Sequence, residues 1–186
     1  MRVIAGKYRG RNLKSPPSLE VRPTSDRLRE TLFNVVAPRI QEARFLDLCA
    51  GSGAIGIEAL SRQAVHVTFV DQSRKMCALI RSNLDLCRVS EAEYRIVQSE
   101  AADFVRLAAR RSAESWDLVF FDPPYADDYL GVLESFARPA DGILANEGWL
   151  IVEHDKRKSL PDSVGALNRL RILKQGDSAL SFYALG

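Results

Sequence analysis

The chain is poor in the residues that tie a small secreted domain together or hold a metal. Its 186 residues include three cysteines, Cys49, Cys77 and Cys87, an odd number with no C-x-x-C spacing. That pattern argues against a disulfide framework and suggests no zinc site, and it fits a reducing cytoplasm. There are two histidines, His66 and His154, both in or beside strand-like stretches without a partner at catalytic spacing, and both read as structural. No stretch approaches the roughly 18 apolar residues of a membrane span. The opening MRVIAGKYRGR has charge but lacks the apolar centre of a secretory signal. Internal repeats and low-complexity tracts are absent as well. What remains is the composition of an ordinary soluble protein, 46% hydrophobic and 27% charged, with a length that suits one domain and a small appendage.

The net charge of +2 is unevenly spread. Residues 1–30 carry eight cations (Arg2, Lys7, Arg9, Arg11, Lys14, Arg22, Arg27, Arg29) against Glu20, Asp26 and Glu30, a balance of +5, so the remainder carries −3. A basic arm on a mildly acidic body suggests a polyanionic partner, nucleic acid being the commonest. A merely solvated tail is the alternative.

Residues 2–14 read as a short hairpin, with Gly6 and Gly10 where positive φ is needed. Residues 24–36 read as a helix that Thr24 or Ser25 can cap, with Asp26 in its first turn. Beyond residue 44 strand and helix patterns alternate. Strands are predicted at 44–48, 65–71, 94–98, 117–122, 148–153, 170–174 and 179–185, and helices near 54–62, 73–88, 101–111 and 127–138, leaving 155–169 unassigned. Such alternation predicts a mostly parallel sheet with helices on both faces. The last two strands, joined by four residues, must pair antiparallel.

Two stretches carry the chemistry. In LDLCAGSGAIGIEAL, Gly51-Ser52-Gly53-Ala54-Ile55-Gly56 fits the dinucleotide pattern G-x-G-x-x-G, and Asp71 stands 20 residues after Gly51, where an acid would hold a ribose. A dinucleotide, however, lays its pyrophosphate on the helix N-terminus, and Asp47, four residues before Gly51, would bring negative charge there. S-adenosylmethionine has an ammonium and a sulfonium and no phosphate. A rim of acids at predicted strand ends, Asp47, Asp71, Glu100 and Asp122, therefore favours it over a nicotinamide or flavin cofactor. The second stretch is FFDPPYADDY at 120–129. Its apolar run delivers Asp122 to a strand end, Pro123 and Pro124 stiffen the turn, and Tyr125 follows. A carboxylate, a rigid carbonyl and an aromatic ring are what chemistry on the exocyclic amine of a planar base requires.

FLDLCAGSGAIGIEALSR together with FFDPPY resembles the class I amino-methyltransferases. IAGKYRGRNLKSP followed by RPTSDRLRETLFNVV is similar to one branch, the RsmD family of bacterial enzymes that methylate N2 of guanine 966 in small-subunit ribosomal RNA. The resemblance implies a Rossmann-like α/β fold with a seven-stranded, mostly parallel sheet ordered 3-2-1-4-5-7-6, strand 7 being antiparallel. It implies that Asp47, Gly51 and Gly53, with their neighbours Ala50 and Ser52, line the methionine part of S-adenosylmethionine. Asp71 with Gln72 would hold the ribose, and Glu100 with Ala101 would lie near the adenine. Asp122, Pro123, Pro124 and Tyr125 would form the catalytic turn, while Cys49, where relatives often carry an aromatic residue, reads as packing.

The expected organisation is a basic RNA-binding extension over 1–20 on a methyltransferase domain over 21–186. Lys7, Arg9, Arg11, Lys14, Arg22 and Arg27 are the phosphate-contact candidates. The expected substrate is 16S rRNA, free or within the small ribosomal subunit or its precursor. The protein is expected to be monomeric and cytoplasmic, without a metal. Methylation of another RNA or DNA base, a nicotinamide-binding Rossmann protein, and an RNA-binding protein without activity are the alternatives.

Overall fold

The stretch RFLDL forms the first strand, β1 (Arg44–Leu48), and its alternation divides the interior in two. Phe45 enters one core and Leu46 and Leu48 the other. The computed structural model describes residues 1–16, 26–111, 114–124, 129–139 and 142–186. The proposed caps Thr24 and Ser25, the cation Arg22, the ring of Tyr125 and the expected boundary at 20/21 lie outside the described residues.

After β1 come α2 (Ala54–Ser61), β2 (His66–Asp71), α3 (Arg74–Cys87), β3 (Tyr94–Gln98), α4 (Ala101–Arg111), β4 (Trp116–Phe121), α5 (Tyr129–Phe136) and β5 (Leu144–Asp155). The chain ends in β6 (Ser163–Val164), β7 (Leu167–Gln175) and β8 (Ser178–Leu185), and α1 (Asp26–Val36) precedes β1. The sheet runs β3-β2-β1-β4-β5-β8-β7-β6. Strands β1 to β5 are mutually parallel, and β8 is antiparallel to both β5 and β7. This is the expected order with one correction. The sheet has eight strands, not seven, because the unassigned segment contributes two residues to an edge strand antiparallel to β7. Two residues and a Gly165-Ala166 turn carry no periodicity to read.

Alternation along the strands sends Phe45, Phe69, Phe120 and Phe182 toward α1, α2 and α3, and Leu48, Phe121 and Val152 toward α4 and α5. Every residue of α2 is buried, as expected for a helix between the sheet and an outer layer. Part of that outer layer is the N-terminal segment. Expected as a hairpin, it closes on the single bridge Arg2↔Asn12, with Val3 N donating to Arg11 O at 3.0 Å and Leu13 N to Met1 O at 2.9 Å. Gly6 and Gly10 do take positive φ, +81° and +82°. No regular ladder forms because the segment spends its backbone groups on the body. Ile4 and Ala5 N–H donate to the Glu58 carboxylate at 2.7 and 3.0 Å. Lys7 N donates to Ser61 O at 2.8 Å, and Tyr8 N to Ser61 Oγ at 2.9 Å. Val3, Tyr8 and Leu13 complete the first core.

Candidate active site

At the end of β1 the chain turns through Cys49 (φ +61°), Gly51 (φ +54°) and Gly53 (φ +76°) into α2. The three glycines do different work. Gly51 and Gly53 supply left-handed backbone at little cost. Gly56 supplies space, because a Cβ there would lie 2.2 Å from the Phe69 ring and 2.8 Å from Val67. That is the close helix-to-strand approach the third glycine of such loops permits.

Carboxylates hold this loop. Asp47 accepts from Gly56 N at 2.9 Å and is 2% exposed, so it is turned onto the first turn of α2. Asp71, at the end of β2, accepts from Gly51 N at 2.9 Å with one oxygen and from Ser73 N at 2.8 Å with the other. Burial pushes Asp47 up to about 8, with the Gly56 N–H pulling the other way and Asp71 adding to the rise. Burial also raises Asp71. Asp47 thus already occupies the Gly56 N–H, one of the donors that a pyrophosphate at the N-terminus of α2 would use. A cation beside Asp47 would let it ionise. The residues present therefore fit a cofactor bearing an ammonium and a sulfonium.

Neighbouring strand ends supply the rest of the edge. Ser99 N donates to Asp71 O at 3.1 Å, which brings the β3 end to Gln72. Glu100 is exposed, and Ala101, half-buried, opens α4. On the other side of β1 the register Leu48↔Phe121 continues as Asp122 N to Leu48 O at 3.4 Å. Asp122 therefore stands beside the start of the glycine loop, followed by buried Pro123 and exposed Pro124. By period 2, Asp122 follows Phe120 to the face that bears Asp47 and Asp71. The β4–β5 register Phe121↔Val152 brings Glu153, 6% exposed, opposite Asp122. Neighbouring strands lie about 4.8 Å apart, so two acids adjoin where one was expected.

A family model described as conserved hypothetical protein 95 matches residues 1–184. The chain belongs to this family. It is the RsmD family to which the motifs pointed, and its relatives include Ribosomal RNA small subunit methyltransferase D of Escherichia coli strain K12. That protein is 38% identical over 165 residues, covering 87% of this chain and 78% of its own. The YlbH protein of Bacillus subtilis is 35% identical over 183 residues, 98% of each chain. The solved structure of Escherichia coli yhhF has a TM-score of 0.84 at 33% identity, covering 98% of this chain and 96% of its own. In fold alone the chain also resembles SMU.776, crystallised with SAH, at a TM-score of 0.69 and 15% identity. RsmD-family membership and the methyltransferase fold make the chain a methyltransferase that uses S-adenosylmethionine.

Of the candidate phosphate contacts, Lys7, Arg9, Arg11, Lys14 and Arg27 are exposed. Arg11 reaches Leu86 O at 3.5 Å and Lys14 Nζ donates to Ser82 Oγ at 2.7 Å, both on α3. Lys7 lies 3.8 Å from Glu93. Arg29 is different. It is fully buried and donates to Arg2 O at 2.6 Å and to Asp26 at 2.8 Å, and burial lowers its pKa. One of the eight cations is therefore an internal strut. His154 is fully buried between Ser181 Oγ and Asp155 O, each at 2.9 Å, and burial lowers its pKa.

Glu58 and Asn83, both 0% exposed, and Glu153 are among the buried polar residues that escaped the sequence reading. Asn83 was detectable in principle. It falls on the apolar stripe of α3 with Ile80, Leu84 and Cys87, and a poor helix former on a core face needs partners.

Proposed function

We propose that this methyltransferase transfers the methyl group of S-adenosylmethionine to the exocyclic N2 of a guanine in the RNA of the small ribosomal subunit. The observation that carries the reading is the pairing of β1 with β4, which sets the glycine loop and Asp122-Pro123-Pro124 at adjoining strand ends. The ribosomal relatives supply the substrate class, and the exposed cations of residues 7–14 supply a surface for its phosphates.

Asp47, Ala50 to Gly53, Asp71 and Gln72 would hold the cofactor, with Glu100 and Ala101 beside its base. When bound, the cofactor supplies an electrophilic methyl carbon. The chain's own part is to position the amine. Asp122 and the Pro123 carbonyl accept its two N–H groups, which directs the nitrogen lone pair away from them and toward the glycine loop. Tyr125 gives the base a stacking surface, and the two prolines keep these groups from swinging. Orientation of this kind can supply on the order of 7 to 11 kcal/mol. The target base leaves its RNA stack to reach the turn, at a cost of a few kcal/mol. The reaction belongs in the cytoplasm, with the protein acting as a monomer on rRNA, free or assembled.

The test is transfer of radiolabelled methyl groups to ribosomal RNA and to small subunits from cells lacking this gene, followed by mapping of the labelled base. Label on a guanine N2 supports the reading. Label on an adenine or cytosine refutes the guanine assignment and leaves the enzyme class standing.

A further inference from the structure

Asn83 touches both halves of the proposed machinery. It projects from the third turn of α3 and is 0% exposed. Its Oδ1 accepts from Lys14 N at 2.8 Å, and its Nδ2 donates to Lys14 O at 3.1 Å and to Ser52 O at 2.9 Å. The first two bonds clamp one residue of the basic segment by both of its backbone polar groups. The third grips the peptide between the two left-handed glycines of the cofactor loop. The amide orientation follows from these partners, since a flipped amide would set Nδ2 against the Lys14 N–H and Oδ1 against two carbonyls.

Met1 Sδ also receives a contact from Ser52 Oγ at 3.8 Å, and the N–H groups of Ile4, Ala5 and Tyr8 go to Glu58 and Ser61 of α2, beyond the loop. A shift of residues 13–14 is therefore felt at Ser52 through the Asn83 amide. Around that amide stand exposed Arg11 and Lys14, the latter bonded to Ser82 one residue away on α3. Cations that meet RNA phosphates and the carbonyl that shapes the cofactor loop share one buried side chain.

We infer that Asn83 is a positioning residue that links RNA binding at the N-terminal segment to cofactor binding at the glycine loop. The inference rests on the reading of that segment as an RNA surface. RNA holding residues 11–14 in place orders the Asn83 amide and hence the Ser52–Gly53 peptide, so the cofactor meets a loop already set. By linkage, cofactor then strengthens RNA binding by the same factor.

The experiment measures binding of S-adenosylhomocysteine to the full chain by calorimetry, with and without a fragment of small-subunit rRNA, in wild type and Asn83→Ala. In wild type the RNA should tighten S-adenosylhomocysteine binding by about fivefold or more, the lower end of measured couplings. In Asn83→Ala both ligands should still bind, with the ratio below about twofold. A residue that only stabilises the fold would weaken either affinity and leave the ratio intact. Such a result overturns the inference, as does a wild type without coupling. If Asn83→Ala does not fold, Asn83→Asp retains the acceptor for Lys14 N and loses both donations, and the same ratio is read. Amide exchange gives an independent reading, because S-adenosylhomocysteine alone should slow exchange of the Lys14 N–H in wild type. Failure of the underlying reading looks different: Arg9→Gln with Arg11→Gln would then leave RNA affinity and its salt dependence unchanged.

Discussion

Replacing Asp47 with Asn tests the electrostatics on which the choice of cofactor turns. Asp47 is 2% exposed, and burial raises its carboxyl from 3.8 to about 8. The unfolded chain ionises the same group at its ordinary value. Between about pH 4 and pH 8 the unfolded state has therefore lost a proton that the folded state keeps. Stability contributed at this position falls as pH rises through that window and levels off above it. At about 1.4 kcal/mol per pH unit, the loss from pH 4 to pH 7 is at most on the order of 4 kcal/mol. Asn preserves an acceptor for Gly56 N–H and cannot ionise. Urea unfolding should give similar stabilities for the two proteins near pH 4, and a variant more stable by roughly 1 to 4 kcal/mol at pH 7.5. Ligand binding should move the other way. Wild type should release a proton on taking up S-adenosylmethionine, detectable as a buffer-dependent heat, and bind it more tightly as pH approaches 8. Asp47→Asn should bind it weakly and without that dependence. Stabilities that run parallel from pH 4 to pH 8, or a wild type that gains on the variant as pH rises, would refute the reasoning.

Asp122→Asn exchanges a charged acceptor of the proposed turn for a neutral amide and should lower kcat about 100-fold, while S-adenosylhomocysteine affinity by calorimetry stays within about twofold; loss of both together would place Asp122 in the cofactor site. Changing Arg9, Arg11 and Lys14 together to Gln should weaken RNA binding and flatten the log-log salt dependence by roughly 0.7 to 0.9 per lost phosphate contact; an unchanged slope removes these side chains from the RNA surface. Gly56→Ala drives a Cβ to 2.2 Å from the Phe69 ring and should cost about 1 to 3 kcal/mol, seen as a Tm lowered by several degrees; a neutral substitution would mean that α2 can lift from β2 freely.

Local pattern made much of this fold legible. β1 and β3 have the bounds that their apolar runs predict, and the glycine loop and Asp-Pro-Pro lie at the strand ends where composition put them. The misses share a cause. Whether residues 2–14 form a ladder is decided by Glu58, Ser61 and Asn83, whose bonds to the segment span 53 to 69 residues. Nothing in an i, i+2 or i, i+4 pattern reports such a partner. Arg29 looks like its exposed neighbours in sequence, and becomes a strut only because the N-terminal segment covers it and offers Arg2 O. Glu153 gains meaning from a register with β4 that lies 31 residues earlier. The charge count read correctly as a total and wrongly as a surface, since it could not tell which cations fold inward.

On the proposed reading one chain must attract both a cationic cofactor and a polyanion, and the distribution of exposure suits that. The acids of the loop are buried, Asp47 at 2% and Asp71 at 9%, whereas Lys7, Arg9, Arg11 and Lys14 stand in solvent. Exposed cations act on RNA through water, over a screening length of about 8 Å at physiological ionic strength. Buried acids act at contact, where the low local dielectric strengthens them. With its carboxyl raised to about 8, Asp47 is mostly protonated at neutral pH unless a cation adjoins it, so the loop presents less negative charge to approaching phosphates than its sequence suggests. If Asp47 holds the cofactor as proposed, charge that develops only on binding would serve the cofactor without repelling the substrate. A carboxyl held at an ordinary value in the same place would have lost that advantage.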